Sequence, residues 1–164
     1  MRDANYVGHV DQVELIDGAA EALRRLKEEG FRLFVVTNQS GVGRGYFTRE
    51  AVEEIHALLD KQFGAVIDRY FVCPHHPEDN CDCRKPKPKF LLDAAREFEL
   101  DLQGSFMVGD RPSDVQCGIN AGTRTVLVLT GVGAETLAMS DVKPDRVVSN
   151  IGAAADWILL SAAA

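Results

Sequence analysis

Two short runs leave this chain little freedom in how it folds. Residues 31–36 are apolar at five of six positions and residues 106–108 at all three, with no alternation of apolar and polar side chains. A strand of that kind expects cover on both faces, as in a parallel sheet held between layers of helices. Each run stops in small polar residues, Thr37-Asn38-Gln39-Ser40-Gly41 and Gly109-Asp110. Helical patterns fill the intervals. Asp17 is placed to cap a helix that carries Ala20, Leu23 and Leu26 on one face and ends at Gly30. Thr48 opens a second helix, with Val52, Ile55, Leu59 and Phe63 recurring at its spacing. Arg69–Cys73 suits a strand, and Pro88 the first turn of a helix reaching Phe98. Strands over 105–108, 125–129 and 146–148 and helices over 113–120 and 151–160 complete the alternation. The pattern predicts one doubly wound α/β domain over residues 1–164.

Composition removes several function classes. The net charge of −7 argues against a nucleic-acid partner, which calls for a basic face. No apolar run has the length of a membrane span, and Met1-Arg2-Asp3-Ala4-Asn5 is not a signal peptide. These features predict a cytoplasmic protein, in which the four cysteines serve as thiols or metal ligands rather than disulfides.

Four motifs carry chemistry. The first is Thr37 to Gly41, where a hydroxyl, amide side chains and backbone N–H groups at a strand end could grip a phosphoryl oxygen. An ordinary polar turn is the alternative. The second is Gly109-Asp110-Arg111-Pro112-Ser113-Asp114. Asp110 offers the hard oxygen that Mg²⁺ takes, or else it caps a helix, while Asp114 could hold the loop or a metal-bound water. The third is Arg84-Lys85-Pro86-Lys87-Pro88-Lys89, a local positive site on an acidic chain. Lys85 suits a phosphate as a point charge and Arg84 a second anionic group; Lys87 and Lys89 suit a solvated surface. The fourth is Cys73-Pro74-His75-His76-Pro77 followed by Cys81-Asp82-Cys83. Cys73, His75, Cys81 and Cys83 would close a tetrahedral structural zinc site in a loop too polar to fold by burial. Free thiols are the alternative, and His76 is the competing imidazole. Cys117 fits a small buried helix residue, and His9 and His56 fit the surface.

Taken together, these residues resemble the haloacid dehalogenase (HAD) superfamily over nearly the whole chain. Thr37 matches its second motif, Lys85 its third, and Gly109-Asp110 with Asp114 its fourth. Thr-Asn-Gln-Ser-Gly-Val-Gly-Arg-Gly and the Cys-x-His…Cys-x-Cys-Arg-Lys-Pro stretch resemble the heptose-bisphosphate branch of its sugar-bisphosphate phosphatases, with histidinol-phosphate phosphatases as near relatives. The resemblance implies a phosphatase acting through an aspartyl-phosphate, with Mg²⁺ and structural Zn²⁺ and without a large cap domain. It implies that Thr37 and Lys85 hold the transferred group and that Arg84 sets specificity. Asp3, Tyr6, Asn38, Gln39, Ser40 and Arg111 are the other candidate contacts to a small phosphorylated sugar, and a monomer is expected.

The superfamily's first motif, an apolar strand ending in Asp-x-Asp, should lie just before Tyr6-Val7, and it is missing here. Asp3 is no substitute, because no apolar strand precedes it and no Asp follows two residues later. Either the start falls at an internal methionine or catalysis has been lost; a non-catalytic, zinc-stabilised phosphosugar-binding protein is the second outcome. That strand is central in the order 3-2-1-4-5. Without it, the strands at 31–36 and 106–108 must pair with each other or end two sheets. The chain as it stands is therefore expected to be poorly soluble and inactive, and an upstream extension carrying the strand is expected to restore both properties.

Overall fold

A computed structural model describes residues 6–162. The chain divides into two compact units, residues 1–81 and 82–164.

In the first unit a 3-10 turn, Val10–Gln12, leads into α1 (Ala19–Glu28), β1 (Phe34–Asn38), the short α2 (Ser40–Gly43), α3 (Arg49–Phe63) and β2 (Arg69–Cys73). β1 and β2 pair in parallel, from Phe34 opposite Arg69 to Asn38 opposite Cys73. The core is made by Ala22 and Leu26 of α1, Val52 and Ile55 of α3, and Phe71 of β2. Two expectations shift. The N-cap of α1 is Gly18, with φ 76° and no side-chain bond, so Asp17 is not the cap. β1 begins at Phe34 rather than Phe31, because the Phe31 N–H is spent on Leu26 O in closing α1 (3.1 Å). Thr48 does cap α3, accepting from the Ala51 N–H at 3.2 Å.

In the second unit α4 (Lys89–Phe98), β3 (Phe106–Gly109), α5 (Pro112–Ala121), β4 (Arg124–Val128), α6 (Gly133–Met139), β5 (Arg146–Val148) and α7 (Ile151–Ala162) follow in order. The strands form a parallel sheet in the order β3-β4-β5. Thr125, Val126 and Leu127 are each fully buried, so the middle strand is covered on both faces, as its unalternated sequence requires. On one face Gly118 of α5 lies against Thr125 and Met107. On the other, Val126, Val128 and Ala154 form a core with Val108, Val148, Ile151 and Trp157. Thr125 is buried at no polar cost, because its N–H and hydroxyl both donate to Asp145 Oδ2 (2.7 and 2.9 Å).

The sheets are thus parallel, and β1 and β3 end different ones: β1 neighbours only β2, and β3 only β4, among the described residues. Among the described residues no helix is long and apolar enough to cross a membrane.

Asp68 clasps the N-terminal ends of β1 and β2. It accepts from Lys27 Nζ (2.6 Å), Arg32 Nη1 (2.8 Å) and the Leu33 N–H (2.7 Å). Burial alone would raise this carboxyl, but the bonds from Lys27, Leu33 and Arg32 outweigh it and hold the group below its usual range. A carboxyl held low stabilises the fold above its unfolded-state range and loses that effect as pH falls through the lowered value. Asp68→Asn should therefore cost about 2 kcal/mol near neutral pH, or roughly 4–8 °C in melting temperature. The gap from wild type, followed by thermal melts from pH 7 downward, should close in acid.

Candidate active site

The first unit brings its candidate residues to the C-terminal end of β1. Thr37 and Asn38 are the last two residues of the strand, and the Gln39 N–H continues the ladder by donating to Cys73 O (2.8 Å). Gln39 Nε2 donates to Thr37 Oγ1 (3.1 Å), so the two polar side chains stand together. Ser40, buried, lies 3.4 Å from the Tyr6 hydroxyl. The motif is more than a polar turn, because Ser40 begins α2, which the sequence did not suggest. Gly43 is required there: a Cβ would run into the backbone of Pro74, His75 and His76. α2 then closes in a Schellman motif. The Gly45 N–H reaches Val42 O (3.0 Å), the Tyr46 N–H reaches Gly41 O (2.8 Å), and Gly45 takes the left-handed φ of 71°. Asp3 lies outside the described residues.

Cys73, the last residue of β2, opens the polar loop. One ligand atom from each of Cys73, His75, Cys81 and Cys83 falls within 4.8 Å of the others. Zinc–sulfur bonds of about 2.3 Å and zinc–nitrogen bonds of about 2.0–2.1 Å at tetrahedral angles put S···S near 3.8 Å and S···N near 3.6 Å. Cys73 Sγ lies 3.5 Å from Cys81 Sγ and 3.6 Å from His75 Nδ1, so the donor set fits that ion. None of the four cysteines is in a disulfide. His76 is engaged elsewhere: its Nδ1 accepts from the Glu78 N–H (3.3 Å) and caps the 3-10 turn Pro77–Asp79.

In the second unit the Arg84–Lys85 loop is held from α5. Lys85 Nζ lies 2.8 Å from Asp114 Oδ1, with side chains 11% and 7% exposed. Asp114 Oδ2 accepts from the Arg111 N–H (3.0 Å) and so closes the start of α5, leaving Arg111 itself as the exposed N-cap residue. Gly109 permits this approach, since a Cβ there would meet the Asp114 carboxylate. Further along the same helix, Asn120 Nδ2 donates to Pro86 O (2.9 Å) and Cys117 Sγ to Lys87 O (3.4 Å). Burial pushes the Cys117 thiol up to about 11, which fits a packed residue rather than a nucleophile. Arg84 Nη1 is buried without a hydrogen-bond partner, an arrangement that invites an anionic acceptor. Lys87 faces Asp82 (3.6 Å) and Lys89 faces Asp93 (2.6 Å), as suits surface cations.

Asp110 follows the end of β3 but does not cap α5, whose cap position is Arg111. Its Oδ2 accepts from the Val132 N–H (3.0 Å) and its backbone oxygen from Thr136 Oγ1 (2.7 Å). A carboxylate fixed by one oxygen at a strand end can offer the other to a hard cation, which fits Mg²⁺. Gly131, where a Cβ would strike this carboxylate, makes the approach possible. The roles of Gly131, Val132 and Thr136 went unread in the sequence, although a Gly-Val-Gly just after a strand was the available signal. His56, expected at the surface, is half-buried and stacked on Tyr70 at 4.1 Å.

A family model described as HAD-hydrolase-like matches residues 82–154. The D-glycero-β-D-manno-heptose-1,7-bisphosphate 7-phosphatase of Yersinia pestis is 41% identical over 98% of this chain and 85% of its own length. That of Pasteurella multocida is 44% identical over 79% of this chain and 76% of its own. The crystal structure of D,D-heptose 1,7-bisphosphate phosphatase from B. bronchiseptica, complexed with magnesium and phosphate, superimposes with a TM-score of 0.91. It is 33% identical and matches over 98% of this chain and 92% of that one. With its phosphate-motif residues at strand ends, its Cys/His loop and this similarity along nearly its whole length, the chain belongs to the heptose-bisphosphate phosphatase family of HAD-like hydrolases.

Proposed function

We propose that this chain is a phosphoric monoester hydrolase that removes the 7-phosphate of D-glycero-D-manno-heptose 1,7-bisphosphate. The observation that carries the reading is the Arg84–Lys85 pair: a nearly buried lysine fixed by Asp114, next to a guanidinium nitrogen buried without an acceptor. Two adjacent cations held this way suit a substrate with two phosphates better than one with a single phosphate. Relatives that share about two residues in five carry this activity in their names.

In this reading residues 1–164 act as one domain, a cytoplasmic monomer. Lys85 and Thr37 hold the phosphoryl group that is transferred, and Arg84 meets the far phosphate. Asp3, Tyr6, Asn38, Gln39, Ser40 and Arg111 contact the sugar and its phosphates. Asp110 holds Mg²⁺, which when bound offsets charge on the phosphoryl oxygens. Hydrolysis runs through an aspartyl-phosphate, and no described residue is assigned as its attacking carboxylate. Cys73, His75, Cys81 and Cys83 hold a structural zinc that fixes the chain just before Arg84.

Phosphate release from the bisphosphate, heptose 1-phosphate and histidinol phosphate, measured with Mg²⁺, tests the substrate. The chain should be assayed as it stands and with any in-frame upstream sequence. Release from histidinol phosphate in preference to the bisphosphate would overturn the assignment.

The two cations should separate in the same assay. Lys85→Ala should abolish turnover of every ester, whereas Arg84→Ala should mainly weaken the bisphosphate. Equal losses on bisphosphate and monophosphate would remove the distinction.

Thiol counting checks the metal. Native protein should contain one zinc and resist a thiol reagent. A chelator should release the metal and expose three thiols, those of Cys73, Cys81 and Cys83. Cys117 should react only on unfolding, because its thiol is buried and its pKa raised. Zinc retained after Cys81→Ser and Cys83→Ser together would disprove the site.

A further inference from the structure

Among the Phe, Tyr and Trp rings of the described residues only that of Tyr46 is exposed, at 62% of its full exposure. It is nevertheless held in place. Its backbone is fixed by the bond to Gly41 O at the end of α2 (2.8 Å). Its ring stands edge-to-face with Tyr6, at 5.3 Å between centroids and 81° between planes. Tyr6 is itself backed by Phe47 at 6.4 Å and touches Ser40 through its hydroxyl. Gly8 and Gly41 leave room for the Phe47 ring, which a Cβ at either position would strike. The result is an aromatic shelf that begins beside the Thr37–Ser40 segment and ends in solvent.

An exposed aromatic ring with a fixed backbone and one supported side is costly to leave in water and needs little further ordering to bind. It is neutral, so it adds nothing to the grip on a phosphate. What it offers is a flat apolar surface with a hydroxyl at its rim. A pyranose ring is complementary, with one face of C–H groups and a polar edge. We propose that Tyr46 is a platform for the pyranose ring of the substrate and determines which phosphorylated sugars are accepted. This rests on the reading of the chain as a sugar-bisphosphate phosphatase.

The test is calorimetric titration of the full chain, with calcium replacing magnesium to hold turnover off. The ligands are inorganic phosphate, the bisphosphate of 1,3-propanediol, which has no ring, and two pyranoses, heptose 1,7-bisphosphate and glucose 1,6-bisphosphate. Tyr46→Ala should weaken binding of whichever pyranose the wild type prefers by about tenfold. It should leave inorganic phosphate and the ringless bisphosphate within about twofold, and Tyr46→Phe and Tyr46→Trp should keep pyranose affinity. Unchanged pyranose binding in Tyr46→Ala, or an equal loss on inorganic phosphate, overturns the platform. A wild type that prefers the glucose compound and loses that preference in Tyr46→Ala keeps the platform and overturns the heptose reading. A wild type that binds neither pyranose better than the ringless bisphosphate overturns both.

Discussion

The ion pair between Lys85 and Asp114 is the contact on which the second unit's chemistry depends. It is nearly dry, at 2.8 Å and with both side chains about nine-tenths covered. Removing one member of such a pair strands the other charge and costs about 3–5 kcal/mol, against a total stability of about 5–15 kcal/mol for a domain. The pair joins a loop to a strand end and a helix start that lie more than twenty residues further along the chain. Through Lys85 it reaches the Arg84–Lys85 loop, through Asp114 Oδ2 it closes the start of α5, and through the space at Gly109 it reaches the end of β3. Cys117 and Asn120 repeat the hold about one and two turns later, so the loop is tied along a face of the helix.

The first unit uses backbone for the same purpose. Asn38 sits opposite Cys73 in the ladder, and Gln39 extends it by one more bond. The residues that end β1 and the residue that opens the Cys/His loop are therefore in register, held by the backbone ladder. Gly43 then lets α2 approach that loop at backbone distance. Order at the strand end and order in the loop rest on one parallel pair.

The strands were legible as short unalternated apolar runs, but only β4 is buried on both faces as that pattern expects; β1 and β3 are half-buried throughout. Thr48 was legible because a capping hydroxyl acts within three residues. What failed to show depends on distant partners or on backbone shape. Gly18 displaced Asp17 at the cap through a left-handed dihedral. α2 carries two glycines in four residues and exists because of what it packs against, so propensity argues against it. Of the site, the Arg-Lys pair and the Cys/His spacing were readable, including the choice of His75 over His76, because Cys-x-His repeats the spacing of Cys-x-Cys. His76 instead accepts a bond from Glu78. Asp110 read as a ligand with a helix cap as the lesser alternative, and its bond to Val132, 22 residues away, takes it off the helix.

The Cys/His loop is held at its two ends by Cys73, His75, Cys81 and Cys83, and between them by local bonds, from the His76 N–H to Asp79 Oδ2 and from the Glu78 N–H to His76 Nδ1. His75 and Cys81 are bound to their neighbours by position, while Pro77 to Asn80 form one exposed turn that contributes no buried residue. Closing a flexible loop costs only about 0.6 kcal/mol more for each doubling of its length. Residues can therefore be inserted between Asp79 and Cys81 with little penalty, and the Arg84–Lys85 pair, which lies beyond the second fixed end, would not feel the change. The tip of the loop is where a lineage can lengthen this protein, or an engineer graft a peptide, without disturbing the Lys85–Asp114 ion pair.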